Sequence, residues 1–326
     1  MKFSILIPAY KRRFLAEAID SCLAQTYEDF EIIIVNDCSP DNLGEIVSQY
    51  KDKRVKYFEN KKNCGAINVV DNWNMCLSYA NGDYVICMGD DDRLLPNCLD
   101  EYCRLIDKYP DLDVYHARTE LIDDDGFLIG IQEARPEWES AYSALWHTCS
   151  CHRIQFIGDF LFRTSSLKNE GGFYKLPLAI FSDNISTIRA AKRRGIANTQ
   201  DVCFQYRRNR YTITNNGNPR ILANSIKQAY DWFSCFLQEC PSNNEMDIKY
   251  RELLLKDNLK KFIYGMMMGV VGQDLKNEGL SAISYWKHQA VVLGIEEEQL
   301  LLQLKIFRRE WLFSKIKLLF PWKGNF

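Results

Sequence analysis

The sequence predicts an α/β protein built on a mostly parallel sheet covered on both faces. Three observations carry that expectation. Apolar runs recur early in the chain and are continuous rather than alternating. Stretches of helical period separate them. Each run ends in polar residues. Continuous runs are what strands buried on both faces require.

The elements follow in order. "FSILIPAY" (Phe3–Tyr10) is a short apolar run ending near Pro8 and reads as a buried strand. Phe14, Leu15, Ala18, Ile19, Cys22 and Leu23 then keep a helical spacing. "FEIIIVND" (Phe30–Asp37) is β-branched and apolar, a second strand, and Ser39-Pro40-Asp41 starts the next helix. "VKYFEN" (Val55–Asn60) is a third strand. A helix runs from Ala66 to Ala80 and stops at Asn81-Gly82. Tyr84–Met88 is the fourth strand, and Pro96–Tyr109 the helix after it. Sheets of this kind hold ligands beyond the carboxyl ends of their strands. That rule gathers Pro8-Ala9-Tyr10, Asn36-Asp37, Asn60 and Asp90-Asp91-Asp92 into one crevice. No GxGxxG or GxxxxGK[ST] follows any of these strands, so the usual glycine devices for a dinucleotide or triphosphate are missing.

The middle is less regular. "DVYHARTELI" and "DDDGFLIG" suggest a hairpin turning at Asp124-Asp125-Gly126. Residues 132–152 read as a long loop or lid. "IGDFLFRTSSL" and "DVCFQYRR" are strand-like, and "NISTIRAAKRRG" is a helix closed by Gly195. From about Ile221 the pattern is helical. The expected division is a sheet domain over 1–220 and a helical extension over 221–326.

The composition, 47% hydrophobic and 26% charged, supplies an ordinary core. A net charge of −2 gives no global basic field, so nucleic acid is not an expected partner. The twelve cysteines are scattered, many in apolar stretches, and "MKFSILIPAY" is too short for a secretory apolar region. Reduced thiols and a cytoplasmic setting are expected. No run approaches the roughly 18 apolar residues needed to span a bilayer. "FIYGMMMGVVG" reads as a buried helix instead.

The polar residue set with the sharpest chemistry is "YVICMGDDDRLLP" (Tyr84–Pro96). Three adjacent aspartates after a buried strand repel one another, and a divalent cation would neutralise them. Hard oxygen ligands suit Mg²⁺ or Mn²⁺. The alternative is an acidic turn stabilising the next helix through its dipole.

The ordered set "IPAY", "VNDCSPD", "ENKKNCG" and "ANGDYVICMGDDDRLLP", with a later Gly171-Gly172-Phe173, resembles the GT-A nucleotide-diphospho-sugar transferases of glycosyltransferase family 2. The resemblance covers roughly residues 1–215 and implies a GT-A, Rossmann-like fold. It implies an enzyme that moves a sugar, with inversion, from a nucleotide-diphosphate donor (UDP most commonly) to a hydroxyl of a glycan or lipid-linked acceptor in bacterial surface polysaccharide assembly. Carried over, Pro8, Tyr10, Asn36, Asp37 and Asn63 line the nucleotide pocket. Asp90 and Asp91 meet the ribose and phosphates, Asp91 and Asp92 hold Mn²⁺ or Mg²⁺, and Arg207 contacts the diphosphate. Asp183 is the general base; it otherwise suits a helix cap. The chain departs from the pattern at Asn36, at Ser182 and at Gly89, which stands where many members have the first Asp of the motif.

Two other readings share these residues. A nucleotidyltransferase also uses aspartate-held metal on an α/β sheet, but "IPAYKRRFL" lacks its glycine-rich loop. A non-catalytic scaffold with a degenerate transferase fold would account for Asn36 and Gly89. "WHTCSCHR" (Trp146–Arg153) lacks the spacing of a zinc pair and reads as a segment near the acceptor. The mixture of basic and apolar residues over 308–323 resembles an interfacial helix, implying peripheral contact with the inner face of a membrane.

Overall fold

The computed structural model describes residues 1–209, 217–240, 244–279, 281–296, 298, 300–307 and 309. Among these, ten strands form one sheet in the order β3-β2-β1-β4-β9-β6-β10-β5, with β7 on β6 and β8 on β10.

The first four strands are β1 (Phe3–Ala9), β2 (Phe30–Asn36), β3 (Val55–Glu59) and β4 (Tyr84–Cys87). All pair in parallel: Ile5 with Ile32 and with Ile86, and Ile34 with Tyr57. Helices α1 (Leu15–Leu23), α2 (Leu43–Val47) and α3 (Val69–Tyr79) make the crossovers. The strand order turns back between β1 and β4, so a crevice opens where their carboxyl ends diverge. Gly82 makes the β1–β4 approach possible. A Cβ there would lie 2.7 Å from the Phe3 carbonyl carbon, which is backbone and cannot yield.

The rest of the sheet is mixed. It comprises β5 (Arg93–Leu94), β6 (Val114–Ile122), β7 (Leu128–Ile131), β8 (Trp138–Glu139), β9 (Phe160–Arg163) and β10 (Ile196–Arg207). Strand β9 runs antiparallel between β4 and β6, while β10 pairs in parallel with β6 and bulges between Asn198 and Phe204. Helix α4 (Cys98–Lys108) follows β5.

Residues 132–152 are not a loop or lid. They contain β8 and helix α5 (Ala141–Cys149). Ser140 caps α5, its Oγ accepting from Ser143 N at 3.1 Å. Ala141, Tyr142, Ala144 and Leu145 enter the core. The small and polar residues in "AYSALW" mask the helical period, and tertiary burial decides the state.

The later helices are α6 (Thr164–Asn169), α7 (Ser182–Ala191), α8 (Pro219–Phe236), α9 (Glu245–Leu253), α10 (Leu259–Glu278) and α11 (Ser281–Leu293). "FIYGMMMGVVG" lies inside α10, which buries Ile263, Met267, Val270 and Val271. No helix among the described residues is long and apolar enough to cross a membrane.

Alternation along each strand sends side chains to two cores. Phe3, Ile5, Ile7, Ile32 and Ile34 pack with α1, α2 and α4. Leu6, Ile33, Val35, Val85 and Cys87 face the other way, into a cluster that continues through Phe160 and Phe173 to Phe233, Val271 and Trp286. The helical extension therefore shares apolar core with one sheet face. All twelve cysteines are free. The basic and apolar stretch 308–323 lies outside the described residues except for Arg309.

Candidate active site

The carboxyl ends of β1 and β4 are stitched together by Asp90. Its Oδ2 accepts from Tyr10 N at 2.7 Å and from Lys11 N at 2.6 Å. Beside it, the end of β2 is fixed by polar side chains. Asp37 Oδ1 accepts from Asn60 Nδ2 and from Cys64 N, each at 2.9 Å. Asn63 Nδ2 donates to the Asp37 carbonyl at 2.6 Å. Asn36 is buried: its Oδ1 accepts from Ser39 N, and its Nδ2 donates to Tyr57 OH. The Ser39 hydroxyl donates to the Tyr10 carbonyl, which ties the two loops. Pro8 sits in β1 opposite Val35, and the Tyr10 side chain is exposed at the rim. Pro8, Tyr10, Asn36, Asp37, Asn63 and Asp90 are thus brought to one crevice. In Asn36 and Asp37, side-chain atoms are occupied in shaping its wall.

The aspartate triplet divides by environment. Asp92 is buried, with Oδ1 accepting from Arg207 N at 2.9 Å and Oδ2 from Gly89 N at 3.2 Å. Asp91 is the most open of the three, its side chain 16% exposed. Its Oδ2 accepts from Asn209 Nδ2 at 2.7 Å and lies 3.6 Å from Lys11 Nζ. A Cβ on Gly89 would sit 2.8 Å from Asp91 Oδ1 and 2.9 Å from Asp92 Oδ2. The two carboxylates therefore converge on the small volume that Gly89 leaves free. Burial, and then the charge of Asp91, push both Asp90 and Asp92 upward from the usual carboxylate range. Lys11, beside Asp91, offsets only part of the negative charge of three carboxylates.

Among the described residues, no group of three or more His, Cys, Asp or Glu side chains is arranged as metal ligands. Two converging carboxylate oxygens suit a different arrangement, in which Mg²⁺ or Mn²⁺ takes one or two carboxylates and fills its remaining positions with phosphate oxygens and water. The donor set and the charge deficit both fit such a cation.

Arg207 is placed otherwise than expected. It is 1% exposed. Its Nε donates to the Asp91 carbonyl at 2.9 Å, and its Nη1 to the Asp123 and Asp124 carbonyls. Its Nη2 pairs with Glu17 at 2.6 Å, and its Cζ lies 4.0 Å over the Phe14 ring. It clamps the aspartate loop to β10 and to the hairpin turn. Arg207→Met is therefore expected to lower unfolding free energy by about 1–3 kcal/mol, since it leaves the Asp91, Asp123 and Asp124 carbonyls without their donor, while half-exposed Glu17 keeps Arg93. Denaturant melts check this. A variant that keeps wild-type stability and loses only nucleotide affinity would contradict the clamp.

Asp183 occupies the first turn of α7. The approach to it is strained: Leu178, Ala179 and Phe181 all have positive φ (59°, 55° and 62°). Three non-glycine residues in that region need surroundings that enforce them, and such strain collects at functional sites. Phe181 is held by edge contacts with Phe233 and Phe262. Burial pushes the Asp183 carboxyl up to about 7, against the opposing pull of backbone N–H groups at the helix start. The Tyr206 hydroxyl, raised first by burial, also feels the charges of Asp92, Asp91, Asp159 and Asp183. Asp183 and the triplet thus act on one tyrosine from different elements.

Sequence reasoning missed Lys11, Glu17, Asn209 and Tyr206. Lys11 directly follows the quoted "IPAY", and Asn209 follows Arg207-Arg208, but no spacing marked them. Cluster 146–153 is the end of α5 and the turn after it. His147 and His152 meet Nδ1 to Nδ1 at 3.2 Å, and among the described residues no third metal ligand joins them.

The sheet, its switch point and the carboxylates beyond it define the GT-A class of fold. Structural likeness agrees. Staphylococcus aureus TarS (residues 1–349, with UDP-GlcNAc) aligns with a TM-score of 0.64 at 18% identity, covering 84% of this chain and 80% of that one. A Pyrobaculum calidifontis mannosyltransferase, solved with GDP-Man and Mn²⁺, aligns at 0.50 and 14% identity over 99% of this chain and 88% of that one. The family profile described as "Glycosyl transferase family 2" matches residues 4–167. The chain belongs to that family. In sequence it is 35% identical over 122 residues to a Rickettsia typhi glycosyltransferase, covering 37% of each chain. It is 26% identical over 195 residues to the poly(ribitol-phosphate) β-N-acetylglucosaminyltransferase TarS, covering 58% of this chain and 32% of TarS. The chain spans well under half the length of these curated relatives.

Proposed function

We propose that the protein transfers a sugar from a nucleotide-diphosphate donor to an acceptor hydroxyl, with inversion, in surface polysaccharide assembly. The observation that carries this reading is the convergence of Asp91 Oδ1 and Asp92 Oδ2 over Gly89 at the switch point, next to the crevice shaped by Asp37 and Asn60. The names of the relatives support it, and UDP is favoured because TarS was solved with UDP-GlcNAc. The acceptor is a glycan or lipid-linked hydroxyl. Residues 1–220 would carry the chemistry, and the helices beyond would brace it and reach the acceptor.

The geometry supports the following roles. Asp37, Asn63 and the Pro8–Tyr10 turn hold the nucleoside. Asp91 and Asp92 would hold Mn²⁺ or Mg²⁺. That ion would supply charge stabilisation to the departing diphosphate. Lys11, 3.6 Å from Asp91, adds a cation at the same end of the crevice. Asp183 takes the proton from the acceptor hydroxyl as its oxygen attacks the anomeric carbon. The bond to the diphosphate breaks on the opposite face, and the electron pair leaves with the nucleotide.

A thermal-shift series with UDP, GDP, dTDP and CDP, with and without Mn²⁺, tests the reading. One diphosphate is expected to stabilise the protein by several degrees only with metal. No shift with any pair would overturn it. Gly89→Ala is a sharper form. Its Cβ would press on Asp91 Oδ1 and on Asp92 Oδ2, and Asp92 is held by backbone N–H groups, so a less stable but folded chain is expected to survive. The convergence is not, and metal-dependent affinity is expected to fall at least about tenfold.

A further inference from the structure

Strand β10 ends in Tyr206 and Arg207, and alternation along it sends their side chains to opposite sides. Arg207 reaches Phe14 and Glu17. Tyr206 turns the other way and stacks on Phe156, the ring centroids 3.6 Å apart and the planes within 7°. Phe156 is itself held in place. Its N–H donates to Oδ2 of buried Asp159 at 2.9 Å, and Asp159 Oδ1 accepts from the Thr119 hydroxyl at 2.6 Å. The tyrosine ring therefore rests on a fixed platform.

The hydroxyl at the far end of that ring has no hydrogen-bond partner among the described residues. Tyrosine hydroxyls taken from water normally find one. Here the residue is half-buried, and its surroundings are acidic. After burial, the charges of Asp92, Asp91, Asp159 and Asp183 hold the hydroxyl above the ordinary tyrosine range, so it remains an O–H donor at neutral pH. The strand anchors it beside the aspartates, because the N–H of the next residue, Arg207, donates to Asp92 Oδ1 at 2.9 Å. The hydroxyl thus lies in the field of both the aspartate loop and the start of α7, and is bonded to neither.

In the proposed reaction the diphosphate lies at Asp91 and Asp92 and the acceptor hydroxyl at Asp183, so the transferred sugar occupies the space that separates them. Resting on that reading, we propose that the Tyr206 hydroxyl donates a hydrogen bond to an oxygen of the transferred sugar and helps select which sugar is accepted. The Phe156 stack aims the donor without using it. A donor fixed in this way discriminates, because a sugar lacking the matching oxygen leaves it desolvated and unpaired. The role is one of binding and selection, and proton transfer stays with Asp183.

The test compares wild type with Tyr206→Phe, which keeps the ring and its stack and removes one oxygen. The full chain is titrated by calorimetry, in Mn²⁺, with UDP, UDP-glucose, UDP-galactose and UDP-N-acetylglucosamine, then with GDP, GDP-mannose, dTDP and dTDP-glucose. Tyr206→Phe is expected to weaken the best-bound nucleotide sugar about three- to tenfold, with the parent diphosphate bound as in wild type. The apo melting temperature is expected to hold or rise, since the oxygen removed has no partner to lose. An equal loss for diphosphate and nucleotide sugar, an unchanged affinity for both, or a lower apo melting temperature would each overturn the inference while the transferase reading stands. Binding of no nucleotide sugar by wild type would overturn that reading and the inference with it.

Discussion

Asp183→Asn is expected to lower kcat by about 10²–10⁴, the range that positioned general bases supply. Nucleotide affinity and melting temperature are expected to stay near wild type, because the amide keeps the shape of the side chain and its place in the first turn of α7. The pH profile gives a second readout. Burial holds this carboxyl at about 7, and the ionised form is the base. The rate is therefore expected to climb as pH rises through about 7 and to level off above it. That acid limb is expected to vanish in Asp183→Asn. A variant that keeps the wild-type rate would reduce Asp183 to a helix-start residue, a role its sequence position also suits. The strain at Leu178, Ala179 and Phe181 argues for the catalytic role, since a simple cap needs no such backbone.

Asp91→Asn is expected to abolish metal-dependent nucleotide stabilisation. A ligand at a hundred times its dissociation constant adds about 2.7 kcal/mol to the native state. The asparagine variant is expected to lose nearly all of it, with the apo melting temperature unchanged or raised. The rise follows from charge: removing Asp91 relieves the repulsion that helps push Asp90 and Asp92 upward. Asp92→Asn contrasts. Both oxygens of Asp92 accept backbone N–H groups, so an amide places a donor against a donor and is expected to destabilise the fold as well. The two variants separate a residue that meets the ligand from one that also holds the loop. Equal loss of apo stability in both would remove that distinction.

The four parallel strands, their crossovers and the crevice at their ends were legible in the sequence. Residues of continuous apolar runs have no alternative to double-sided burial, and chain order alone fixes which ends lie together. For the same reason the aspartates after β4 and the Asp37 turn after β2 were legible as residues of that crevice: they are polar groups attached directly to buried strands. The sequence did not show that 141–149 is a helix, because "AYSALW" is a helix through its packing on the core rather than its period. Nor did it show what Arg207 does. Its charge and position suggest a phosphate contact, whereas its donors are taken by carbonyls of Asp91, Asp123 and Asp124 and by Glu17. Those partners lie about 80 to 190 residues away along the chain. Gly89 is the clearest case. In sequence it is a missing aspartate; in space it is the gap that lets Asp91 and Asp92 converge. Local pattern determines which residues are buried and which end a strand. Whether a charge is spent on the protein or left for a ligand depends on distant neighbours, and only the tertiary fold supplies them.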